Sequence, residues 1–97
     1  MARVLVERRL RGVSARIKRL REELIITDEQ LLQLADEAED ARIRALVSET
    51  PSADHEHSEA AGHADAMRRH REVVVAEIAR LELAQDELLD RFQAESR

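Results

Sequence analysis

Residues 6–24 read VERRLRGVSARIKRLREEL, and their large apolar residues are Val6, Leu10, Val13, Ile17, Leu20 and Leu24. The gaps alternate between four and three residues, with only charged and small residues in between. That spacing is a heptad seam, one narrow apolar stripe along a helix. A helix with a single such stripe is marginal alone in water and needs a second helix to cover it. The rest of the chain has to supply that partner.

The seam continues in phase beyond Leu24. With Leu10 as position a, Ile17, Leu24, Leu31, Ala38 and Ala45 follow at a. Val6, Val13, Leu20, Thr27, Leu34 and Ala41 take position d. The seam residues shrink from Leu and Ile to Ala as the helix approaches residue 48. Thr27-Asp28-Glu29-Gln30 also has the form of a capping box, with Ile26 and Leu31 spaced as a hydrophobic staple. The pattern therefore predicts one helix over about 3–48 and allows a kink or break near 26–28.

Ser48-Glu49-Thr50-Pro51-Ser52-Ala53-Asp54 is the one convincing turn. Proline disfavours helix at the residue before it and suits the first position of the helix after it. Thr50 or Ser52 fits the N-cap, and Asp54, Glu56 and Glu59 suit the positive end of the helix dipole. A turn over about 49–54 and a second helix over about 55–94 follow. The second seam has Ala60, Met67, Val74, Leu81 and Leu88 at d, and Ala64, Arg71, Ile78, Gln85 and Phe92 at a.

Two long helices joined by a short turn run antiparallel, and in antiparallel pairs a faces d. One register satisfies this by setting Ala45 against Ala60 and Ala38 against Met67. Farther from the turn it sets Leu31 against Val74, Leu24 against Leu81, Ile17 against Leu88 and Val13 against Phe92. In it Arg68 and Arg69 lie opposite Glu37 and Asp36, and Asp86, Glu87 and Asp90 lie near Arg19, Lys18 and Arg16. The fold expected is all-α: one domain over 1–97, a long antiparallel two-helix coiled-coil hairpin that pairs into a four-helix dimer.

Composition supports this class. The chain has 97 residues, 38% of them charged, with one Phe, two Gly and one Pro. Chains rich in Ala, Glu, Leu and Arg with this periodicity are long helices, and the regular apolar pattern argues against disorder. Cysteine is absent, which removes disulfides, thiol chemistry and thiolate metal sites. No signal-peptide core or membrane-length apolar run is present, so a cytoplasmic location and no membrane contact are expected. Lys18 is the one lysine among sixteen basic residues, which fits a GC-rich bacterial genome.

The net charge of −5 conceals a gradient. Residues 1–21 carry eight basic residues and one acid, residues 22–61 two and twelve, and residues 62–97 six and eight. The basic arm (Arg3, Arg8, Arg9, Arg11, Arg16, Lys18, Arg19, Arg21) has enough cations to neutralise several phosphates. It lacks the aromatic residues on which bases stack. Nucleic acid is accordingly a secondary reading, and complementarity to the second helix the first.

Off the seams lie Ile25, Ile26, Leu32, Leu46 and Val47 on the first helix, and Val73, Val75, Leu83 and Leu89 on the second. Ile25, Ile26, Leu32 and Val73 are expected to form a self-association patch, since clustered exposed apolar surface marks interfaces. His55, Glu59 and His63 fall four residues apart and are weak candidates for a shared metal ion. No cofactor is expected. Ser14, Ser48, Ser52 and Ser58 sit in no nucleophile motif, and a hairpin has no cleft to perturb its many carboxylates. No catalytic residue, and no enzymatic activity, is expected.

Glu49, Asp54, Glu56 and Glu59 form an acidic tip around the turn. A helical hairpin with an acidic tip resembles those of bacterial transcription factors of the DksA and Gre type. The resemblance implies a regulator that binds RNA polymerase through that tip. It covers the hairpin alone; those proteins also have a globular domain, and none is legible in these 97 residues. The sequence thus points first to a non-catalytic assembly module and second to a polymerase or nucleic-acid partner.

Overall fold

The computed structural model describes residues 2–96. Two helices account for nearly all of them: α1, Ala2–Ser48, and α2, Pro51–Glu95. They form an all-α antiparallel hairpin. No helix among the described residues is long and apolar enough to cross a membrane. Strong helix formers fill both elements, and the chain's one proline stands at the first position of α2, where its missing N–H costs nothing. α1 is unbroken at Thr27: that side chain is 2% exposed and sits in the seam, so packing outweighs the local capping signal.

The helices come together as two compact units, one of residues 2–24 with 74–96 and the other of residues 25–73. The first unit contains the hydrophobic cluster, in which Ile17, Leu20, Val74, Ile78 and Leu81 are buried together. Val13 and Leu24 pack against it. At roughly 1.5–3 kcal/mol for each buried aliphatic side chain, this cluster is the main apolar contribution in that unit. Polar links join the same two helices there: Gln85 Nε2 donates to Ser14 Oγ at 2.9 Å, and Arg21 meets Glu82 at 3.4 Å.

The second unit is held by smaller residues. Ala41, Ala53 and Ala64 are buried along with Thr27. Arg71, half-buried on the seam of α2, reaches across to the Asp28 carboxylate, so its methylenes cover the interface while its charge is paired at the edge.

Every expected seam residue of both helices is buried or half-buried, as are Ala53 and His57, which extend the α2 seam back toward the turn. The level at which the helices meet differs from expectation. Leu88, the expected mate of Ile17, is buried but lies outside the cluster that holds Ile17, Leu20 and Leu81. Ser14 meets Gln85 and Asp28 meets Arg71, each roughly one heptad away from its expected neighbour. The expected cross-helix charge pairs are displaced too. Arg68 turns to Asp65 on its own helix at 2.6 Å, and Arg21 with Glu82 and Arg71 with Asp28 take over the role.

The cause lies in the turn. It is two residues long, Glu49 and Thr50, and α2 begins at Pro51 rather than near residue 55. Glu49 adopts φ 51°, and its N–H donates to the Ala45 carbonyl at 3.1 Å, a left-handed C-cap that ends α1. The Thr50 hydroxyl then accepts from the Ala53 N–H at 3.2 Å and starts α2 as its N-cap. Two back-to-back caps leave no room for the longer loop, and α2 slides along the seam accordingly.

Candidate functional site

Three groups of residues are candidates for function. The first is the acidic region of residues 37–63. Glu49, Asp54, Glu56 and Glu59 are all exposed, Glu49 in the turn and the others in the first turns of α2. Here the seam is alanine apart from His57, and the small side chains leave an open groove of about 320 Å³. Glu37, Ala41 and Arg44 line it from α1, and Glu56, Glu59, Ala60 and His63 from α2. Sequence reading missed the part played by Glu37 and Arg44; extending the heptads to the turn shows both beside the alanine seam.

Of the histidine candidates, His55 Nε2 approaches Glu59 Oε1 at 3.4 Å. His63 lines the groove beside Glu59. No group of three potential ligands with metal-binding geometry occurs among the described residues. Nearby, Arg42 donates to both oxygens of Glu39, from Nε at 3.0 Å and Nη2 at 2.6 Å. These hydrogen bonds hold the Glu39 carboxyl below its usual pKa, with a smaller contribution from His57. A matching pair on α2, Arg80 with Glu77, lowers the Glu77 carboxyl in the same way. Both pairs are exposed i, i+3 contacts within one helix, a spacing that supports helix formation.

The second group is the basic arm. Arg3 lies over the Phe92 ring, 4.8 Å from its centroid, a cation–π contact between the first turns of α1 and the last of α2. Arg11 pairs with Glu7, and Arg21 with Glu82. Arg8, Arg9, Lys18 and Arg19 are exposed and make no ion pair among the described residues, while Arg16, also exposed, helps to lower the Glu77 carboxyl of α2 by its charge. The arm is therefore only partly neutralised by α2.

The third group is the apolar surface off the seams. Ile25 is 61% exposed, Ile26 54%, Leu32 67% and Val73 65%. All four belong to the unit of residues 25–73. Ile25 and Leu32 are one heptad apart, at position b of α1; Ile26 and Val73 each stand at position c of their own helix. Both positions turn away from a buried a/d seam. No protein-family model matches the chain, and neither a curated protein nor a solved structure is detectably similar to it.

Proposed function

We propose that this protein is a non-catalytic coiled-coil interaction module that works by self-association. The observation that carries the reading is the apolar surface on the outward helix faces. Ile25, Leu32 and Val73 are each more than half exposed, at positions where a solitary hairpin gains nothing from large aliphatic side chains. Burying such a side chain against another molecule contributes roughly 1.5–3 kcal/mol. A non-catalytic role is also supported by the perturbed carboxylates: the lowered pKa values of Glu39 and Glu77 trace to exposed arginine partners rather than to a desolvated cleft.

Sedimentation equilibrium tests the proposal. The native chain is expected to show a mass rising from 11.1 kDa toward a multiple of it with concentration. Ile25→Glu with Ile26→Glu is expected to shift that rise to higher concentration while leaving helicity unchanged, since both side chains are exposed. A native chain that stays at 11.1 kDa throughout would refute self-association.

A further inference from the structure

Twelve large apolar residues are exposed among the described residues, and eight of them lie on α1. In the heptad frame whose a and d positions are buried, all eight fall at b, c or f, the positions turned away from α2. Their order along the helix has a symmetry of its own. In residues 2–24 the outward positions of α1 begin with Val4 and Leu5 and continue with Arg8, Arg11, Lys18 and Arg19. In residues 25–48 they begin with Ile25 and Ile26, carry the acids Glu29, Asp36 and Asp40, and end with Leu46 and Val47.

Each half complements the other read backwards. When α1 of a second copy runs antiparallel, one alignment sets Val4 against Val47 and Leu5 against Leu46. The same alignment sets Arg11 against Asp40, Ala15 against Asp36 and Arg19 against Leu32, so the four cations interleave with the acids. At its centre Ile25 meets Ile26. It also matches positions geometrically, because every b meets a c and every f meets an f. The like-charged contact is Glu22 with Glu29, and Glu22 has Lys18 and Arg19 one turn before it on its own helix.

On the self-association reading above, we propose that the outward face of α1 is an isologous docking surface for α1 of a second copy, packed antiparallel about a two-fold axis between Ile25 and Ile26. A two-fold contact is self-complementary by construction, and this face has that property in both apolar size and charge. Pairing α1 with α1 in parallel is opposed, since it stacks Arg8, Arg11, Lys18 and Arg19 on their own copies. The basic arm, only partly matched within its own chain, finds its counter-charge on the acidic half of the partner's α1.

Charge exchange tests the face. Arg8→Glu with Arg11→Glu makes one half acidic; Asp36→Arg with Asp40→Arg makes the other basic. Each double variant alone is expected to sediment at 11.1 kDa where the native chain is dimeric, and an equimolar mixture to return to twice that mass. All four positions are exposed, so circular dichroism should show unchanged helicity. Orientation is tested by cross-linking, since the chain has no cysteine of its own. The Val4→Cys chain mixed with the Val47→Cys chain is expected to give a mixed cross-linked pair, and the Val4→Cys chain alone none. Double variants that associate like the native chain, or Val4→Cys chains that cross-link to one another as readily, would overturn this face and orientation while self-association stands. A native chain of 11.1 kDa at every concentration would overturn self-association itself, and this docking with it.

Discussion

The level at which α1 and α2 meet can be measured as a free energy. Ile17 is 3% exposed and Leu81 7%, and both belong to one buried cluster. Truncating either to Ala removes three carbons, about 2.4 kcal/mol at ~0.8 kcal/mol per buried CH₂, before any cavity cost. A two-helix layer can close partly around the gap, so each single variant is expected to lose about 2–3 kcal/mol. Side chains that share a cluster do not contribute independently. The double variant should cost less than the sum, with a coupling of roughly 0.5–1.5 kcal/mol. Leu88 is also buried, at 8%, but stands outside that cluster. Ile17→Ala and Leu88→Ala should therefore add to within about 0.5 kcal/mol. The assay is urea unfolding followed by circular dichroism at fixed chain concentration. A stabilising osmolyte keeps the double variants folded, because a domain of this size has only roughly 5–15 kcal/mol in total. Coupling of Ile17 to Leu88, with additivity between Ile17 and Leu81, would refute the observed register and favour the one a heptad away.

Four further outcomes are expected. Gly12 and Gly62 both lie inside helices, and a Cβ at either would meet no atom within 4 Å, so Gly12→Ala and Gly62→Ala should each raise stability by about 0.5–1 kcal/mol in urea unfolding. Glu49 occupies the left-handed region at φ 51°, so Glu49→Gly should raise the unfolding free energy by about 0.5–1 kcal/mol and the urea midpoint with it, the relief of steric strain exceeding the entropy added to the unfolded chain; a lower midpoint would contradict the strain. Because Arg42 and Arg80 lower the pKa values of Glu39 and Glu77, their contribution to stability is present above the unfolded carboxylate pKa and lost as pH falls through the lower folded value. Side-chain NMR titration should place both midpoints below the ordinary glutamate range, and Arg42→Ala should return Glu39 alone to that range. Amide exchange should be faster around Ala41 and Ala64, where buried side chains are small, than around Ile17 and Ile78 in the aliphatic cluster.

For the candidate sites, exposure was legible at residues such as Ile25, Leu32 and Val73, because an off-seam position on a two-helix layer faces outward whatever the register. The pairing of individual charges was not. Arg68 has Asp65 three residues away on its own helix, and a contact within one helix costs less side-chain ordering than one across the hairpin. The same preference ties Arg42 to Glu39 and Arg80 to Glu77.

Heptad spacing together with the chain's one proline determined that there are two helices, which residues face inward, and that the chain folds back near Pro51. These follow from the 3.6-residue helical period and from proline's missing N–H, both local properties. Only the tertiary structure decided the register. A seam repeating every seven residues buries the same face after a slide of one heptad, so Ile17 has a suitable aliphatic mate in Leu81 or in Leu88. The choice between them fell to the turn. The left-handed cap at Glu49 and the Thr50 N-cap close it in two residues, and that length sets where every later residue of α2 meets α1.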